Sequence, residues 1–116
     1  MSDFDNNTVI LITRNGMGDG DPQLQQKLIG IYLNLLLDSN LTPGIICFYA
    51  DGVKLVVQGS PVLEQLRELE KRGVHLVICS TCLNYYNLEN QVQVGIAGGM
   101  TDILEAQRRA TKIIAL

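Results

Sequence analysis

Thr8-Val9-Ile10-Leu11-Ile12-Thr13 is an unbroken run of apolar and β-branched residues with no polar alternation. A strand of that kind has no wet face, so it belongs inside a sheet covered on both sides. The chain must therefore supply helices for two faces, and its pattern does so. Asp21-Pro22 reads as an N-cap followed by proline at the first helical position, opening a helix that runs to about Leu37. Gly44 to Tyr49 is a second buried strand. Ser60-Pro61 opens a second helix with Val62, Leu66 and Leu69 facing inward, closed by Gly73. Val74 to Ile78 is a third strand, and Gln91 to Ile96 alternates as a strand nearer a sheet edge does. Ala97 to Met100 reads as a flexible connection. Thr101 caps a last helix with core candidates Ile103, Leu104 and Ala110, and Lys112 to Leu116 is the final strand. Strands alternating with helices predict a single α/β domain over residues 1–116, with a mainly parallel sheet between two helical layers.

Two segments are less determined. Val53 to Val57 has strand propensity, which would make a hairpin across Asp51-Gly52, but its spacing also fits one helical turn. The first helix is apolar on more than one side. Leu24, Leu28, Ile31 and Leu35 form one stripe, and Ile29, Leu33, Leu36 and Leu37 widen it. A helix covering a sheet needs one stripe, so the surplus predicts a second buried contact with another subunit.

In a parallel sheet the loops after each strand gather at one edge, where open α/β folds place their chemistry. The segments falling there are Arg14 to Gly20 after the first strand (with Arg14, Asn15, Gly16, Met17 and Gly18 as pocket candidates), Asp51 onward after the second, Cys79-Ser80-Thr81-Cys82 after the third, and Gly98 to Met100 before the last helix (with Gly99 and Met100 as candidates). Cys79 and Cys82 stand out as the catalytic candidates. Two thiols at a strand-to-helix turn meet backbone N–H groups that stabilise a thiolate. Asn87 tolerates the left-handed conformation that would stop the short helix behind them. A zinc site needs about four ligands, and beyond this pair the chain has only Cys47 in a core strand and His75 early in another; only a site shared between subunits would complete one, and no metal is expected. Thioredoxin-type dithiol exchange and persulfide transfer both suit the spacing, which does not separate them. His75, the only histidine, reads as a strand residue rather than a base, leaving backbone N–H groups or Arg14 to activate a thiolate. The Gly16-x-Gly18-x-Gly20 loop lacks the lysine of a P-loop and carries Asp19 and Asp21, so it reads as a tight turn. Tyr85 and Tyr86 are expected to pack the short helix on the sheet.

Charged residues make up 18% of the chain and net charge is −3, with no basic patch for nucleic acid and no apolar stretch long enough for a membrane. The polar start, Met1 to Asn7, lacks the pattern of a signal peptide. Three cysteines, two of them close together in this motif, suit a reduced cytoplasmic setting rather than a disulfide framework.

Taken together, Met17-Gly18-Asp19-Gly20-Asp21, Phe48-Tyr49-Ala50-Asp51-Gly52-Val53-Lys54-Leu55, Gly59-Ser60-Pro61-Val62-Leu63 and Cys79 to Tyr86 resemble a DsrE/DsrF-like domain. The resemblance is closer to the C-terminal domain of YedF-type proteins, which are associated with selenium metabolism, and Met100-x-Asp102-Ile103 is a weaker match. It covers nearly the whole chain. It implies a three-layer α/β/α fold with five strands, homo-oligomers such as dimers, trimers or hexamers, and a helical turn at Val53 to Val57. It also implies a sulfur relay in which Cys79 carries a persulfide and Cys82 releases or protects it, with no cofactor. YedF-type proteins usually carry an N-terminal TusA-like sulfur-carrier domain, which these residues lack, so that partner is expected as a separate protein. The alternative from another class is a non-catalytic module that binds a small ligand or partner tail in the same pocket.

Overall fold

The structure is a computed structural model that describes residues 4–116; Met1 to Asp3, the beginning of the polar N-terminal stretch, lie outside them. Five strands form one wholly parallel sheet: β1 (Thr8–Ile12), β2 (Ile45–Phe48), β3 (His75–Cys79), β4 (Ile96–Gly98) and β5 (Lys112–Ala115), in the order β4-β3-β2-β1-β5. The helices are α1 (Pro22–Asp38), α2 (Leu63–Lys71), α3 (Ser80–Tyr85) and α4 (Met100–Arg109), with a 3-10 helix at Ala50–Val56. Strands β1 to β4 step in one direction and β5 returns to the far side of β1. Right-handed crossovers then put α1 and α2 on one face and α4 on the other, giving the α/β/α sandwich.

Strand β1, flanked by β2 and β5, behaves as its sequence demands: every one of its residues is buried. Alternate strand residues Ile10, Ile12, Ile46, Phe48, Leu76 and Ile78 are all at most 3% exposed. Helix α1 lays Ile29, Leu33 and Leu36 on this core and α2 adds Leu66 and Leu69. Burying each such side chain stabilises the fold by about 1.5–3 kcal/mol, which is why the pattern rather than any single bond sets the architecture. The α1 stripe Leu24, Leu28, Ile31 and Leu35 points away, 38–58% exposed.

Local chemistry sets the helix starts. The Asp21 carboxylate accepts the Gln23 N–H at 3.0 Å and Pro22 opens α1 as expected. The Ser60 hydroxyl accepts from Val62 N–H at 3.2 Å, but it closes a turn, and α2 begins only at Leu63. Helix α4 begins at Met100, capped at Gly99, whose N–H donates to the Asp102 carboxylate at 2.9 Å; Thr101 lies within the helix and is not its cap. Leu104, expected in the core, is 63% exposed, and Ala106 takes the inward position instead. The Val53 region is helical, so the hairpin alternative is excluded.

The alternating stretch Gln91 to Ile96 is not the fourth strand. Gln58 N–H donates to Gln91 O and Gln93 N–H to Val56 O, tying this stretch to the end of the 3-10 helix. Gly95 (φ +80°) then turns the chain against Leu76 and Ile78, and pairing begins at Ile96. Ala97 and Gly98, expected as a flexible connection, are strand residues; β4 is nonetheless an edge.

Candidate functional site

Parallel pairing places the ends of β1, β2 and β3 side by side, and the segments leaving these strands stack there. After β2 the chain turns at once into the 3-10 helix. Tyr49 N–H bonds the Ile12 carbonyl at 3.1 Å, and Gly52 lies so close over the end of β1 that a Cβ would sit 2.1 Å from Ile12 O. Glycine is required there by approach rather than by φ. After β3 the chain turns directly into α3. Asn87, with φ +57°, ends that helical segment, as its tolerance of the left-handed region allows.

Cys79 ends β3 and caps α3, and Cys82 sits one turn on. Both are free thiols. Their sulfurs are 3.0 Å apart, with Cys82 S–H donating to Cys79 Sγ, and Cys82 N–H donates to the same sulfur at 3.4 Å. Cys79 is 1% exposed and lies beneath Cys82, which is half-buried. A third donor arrives from the 3-10 helix: Ala50 N–H reaches Cys82 Sγ at 3.1 Å. Burial and the bond to Cys79 hold the Cys82 thiol above its ordinary pKa, with the Ala50 N–H opposing them. Cys82 is thus the donor of the S–H···S bond, and Cys79 Sγ is the sulfur at which donors converge. Cys47 has no part in this; burial pushes its thiol up to about 11.

Around the pair lies a cluster whose mutual contacts the sequence did not reveal. Tyr86, just past α3, donates its hydroxyl to Asp51 in the 3-10 helix. Lys54 pairs with Asp51 at 3.4 Å and lies over the Tyr86 ring at 4.6 Å. The Tyr86 hydroxyl, then Lys54, holds the Asp51 carboxyl below its usual range, and the same bond raises the phenol. The segment from Asp51 onward was expected at this edge, but its bond to Tyr86 had no sequence signal. Of the two tyrosines expected to pack α3 down, Tyr86 is half-buried against the core. Tyr85 does not pack on the sheet: it is 80% exposed and meets Tyr86 edge to face.

The other sequence candidates are distributed around this edge. Arg14 and Asn15 line a hollow of about 330 Å³ together with Asp19, Pro22, Gln25, Asp51 and Lys54. Arg14 donates to the Leu116 carbonyl at 3.1 Å, on the β5 side of the sheet. Gly16, Met17 and Gly18 lie against α1: Met17 N–H bonds Gln25 O at 2.9 Å, and the Gln25 amide bonds Gly18 O at 2.7 Å. Gly16, with φ +150°, has no room for a Cβ beside the Gln25 backbone. Ser80 and Thr81 form the first turn of α3 between the cysteines, while Gly99 and Met100 start α4. A larger groove, about 370 Å³, lies along the start of β3 and β4 and includes His75, apart from both thiols. Among the described residues no cluster of His, Cys, Asp and Glu is arranged to hold a metal ion, and no helix is long and apolar enough to cross a membrane.

Fold and site define a small α/β/α protein with a dithiol at the C-terminal edge of a five-stranded parallel sheet. Residues 17–116 match the model of the DsrE/DsrF-like family, and the chain belongs to that family. No curated protein matches it. Its fold is similar to that of MTH1491, a protein of unknown function from Methanobacterium thermoautotrophicum, at 21% identity and TM-score 0.66, covering 94% of this chain and 97% of that one. The ychN protein from E. coli is similar at 15% identity and TM-score 0.65, over 95% and 99% of the two chains. BT1422, a conserved protein of unknown function from Bacteroides thetaiotaomicron, is similar at 14% identity and TM-score 0.68, over 96% of each. These likenesses concern the fold alone.

Proposed function

We propose that the chain is a cytoplasmic sulfur-relay protein, of YedF type within its family, whose Cys79–Cys82 pair carries a sulfane sulfur or its selenium counterpart. The observation that carries the reading is the convergence of Cys82 N–H and Cys82 S–H on Cys79 Sγ. Donors aimed at one sulfur are placed to stabilise the negative charge it carries when it attacks. In the forward step, Cys82 moves aside and the Cys79 thiolate attacks the outer sulfur of a donor persulfide. The new bond is Cys79 S–S; the donor's own S–S bond breaks and its thiolate leaves with the electron pair. An acceptor thiolate then takes the outer sulfur and restores Cys79. Alternatively, the Cys82 thiolate attacks Cys79 Sγ and expels hydrosulfide, leaving a Cys79–Cys82 disulfide that a dithiol reductant reopens.

The acceptor or donor in this reading is a separate TusA-like carrier, and the working form is a homo-oligomer. The exposed α1 leucines and Ile31 support the second point, because a four-residue apolar seam at alternating spacings of four and three suits helix pairing.

The test is intact mass of the reduced protein after a persulfide (R–S–SH) or selenopersulfide (R–S–SeH) donor, whose outer atom transfers as the donor thiolate leaves, with Cys79→Ser and Cys82→Ser alongside. One added chalcogen atom that disappears in Cys79→Ser is the expected result. An adduct that follows Cys82 instead transfers the carrier role to that thiol. No adduct on either, with both thiols slow toward alkylation, refutes the relay and leaves a ligand-binding module.

A further inference from the structure

We propose that Asp51 and Tyr86 form a latch that holds the Ala50 N–H on Cys82 Sγ and so sets the reactivity of the Cys79–Cys82 pair. The proposal rests on that pair being the working site, and it assigns two positioning residues to it.

Two hydrogen bonds run in series into the site. Ala50 N–H donates to Cys82 Sγ at 3.1 Å, and Cys82 S–H donates to Cys79 Sγ at 3.0 Å. Each bond polarises the next, so a donor at the head of the chain strengthens the donation at its end. The head is not held by its own backbone preference. Ala50 has φ +51°, the left-handed region that alanine disfavours, so its surroundings must impose the conformation. The neighbouring Asp51 supplies the restraint by accepting the Tyr86 hydroxyl. Tyr86 lies immediately beyond the helix that carries Cys82, so this bond joins the two segments whose separation fixes the Ala50–Cys82 contact. Lys54, paired with Asp51 and seated on the Tyr86 ring, closes the latch from the same helix as Asp51. The titratable side chains around the pair are therefore Asp51 and Lys54 from the 3-10 helix and Tyr85 and Tyr86 from the end of α3. Arg14 and Asp19 share a hollow with Asp51 and Lys54, and Arg14 donates to the Leu116 carbonyl.

The latch is tested by the pH dependence of alkylation of the whole chain with iodoacetamide, read separately at Cys79 and Cys82 by peptide mass. Tyr86→Phe removes only the hydroxyl. Its Cys82 midpoint is expected to rise by roughly half to one pH unit, about three- to tenfold slower alkylation at pH 7, because a charge-assisted tether is lost. Asp51→Asn keeps an acceptor oxygen without the charge, and its profile falls between Tyr86→Phe and wild type. Tyr85→Phe leaves the profile unchanged. A Tyr86→Phe or Asp51→Asn profile that superposes on wild type overturns the latch, as does an equal shift in Tyr85→Phe. Alkylation needs no sulfur donor. Shifted profiles with no sulfur transfer therefore keep the latch and refute the relay, and unshifted profiles with normal transfer do the reverse.

Discussion

Gly52→Ala probes the contact on which the site is mounted. The added Cβ would meet Ile12 O at 2.1 Å, Ile12 C at 2.7 Å and the Thr13 Cα at 3.3 Å, all of them backbone. These atoms cannot step aside as a flexible side chain would. They terminate a strand flanked by β2 and β5, and Ile12 O is already engaged by Tyr49 N–H. The 3-10 helix must therefore lift by about 1 Å to reach ordinary contact distance, in an interior packed too densely to absorb the movement. Overpacking costs about 1–3 kcal/mol, and backbone on both sides places this case at the upper end. That is a large share of a domain stability of about 5–15 kcal/mol, and it lowers Tm by roughly 10 °C or more. Urea unfolding followed by far-UV circular dichroism reads the loss as a lower midpoint at unchanged slope. The same lift carries Ala50 N–H out of bonding range of Cys82 Sγ, so Cys82 alkylation changes in the folded variant. Gly30→Ala is the control: it lies in α1 with nothing within 4 Å of the added Cβ, and it should gain up to about 1 kcal/mol. A loss below about 1 kcal/mol in Gly52→Ala would refute the rigid backbone stack. A full loss with unaltered thiol chemistry would refute its connection to the site.

Burial and charge set two further outcomes. Replacing Leu28 and Ile31 with glutamate puts charge in the exposed α1 seam without touching Ile29, Leu33 or Leu36; sedimentation equilibrium should show a single chain where the parent self-associates, with circular dichroism unchanged. An unchanged mass, or a parent already monomeric, removes α1 as the subunit contact. Cys47 governs part of the alkaline limit. Its thiol is pushed up to about 11 in the fold from 9.0, so the native state keeps its proton longer than the unfolded chain. Its contribution is complete below about pH 9 and is lost as pH rises toward 11, about 1 kcal/mol between pH 8 and 10. Urea titrations at the two pH values should show a smaller alkaline loss in Cys47→Ala; equal losses would remove this thiol as the cause.

Much of the architecture was written in short-range signals. The unbroken β1 run, the Asp21-Pro22 start of α1, the inward trio Val62, Leu66 and Leu69, and the strand emptying into Cys79 each depend on residues within a few positions of one another. So did the pairing of Cys79 with Cys82, since one helical turn brings two residues three apart onto one side. The misplaced fourth strand shows distant backbone overruling the local pattern. Gln91 to Gly95 alternates like a strand, yet Val56 and Gln58 claim its hydrogen bonds, so β4 starts later.

The buried parallel sheet, the start of α1 and the dithiol turn could be read from the sequence alone, because hydrophobic periodicity and capping are local properties of a chain. Only the tertiary structure decided which α1 stripe stays uncovered, that Cys79 lies beneath Cys82, and that Ala50, Asp51 and Tyr86 close around them. The Ala50–Cys82 and Asp51–Tyr86 contacts join residues more than thirty positions apart. They exist because β2 and β3 are neighbours in the sheet, and parallel pairing delivers the segments leaving both strands to the same edge.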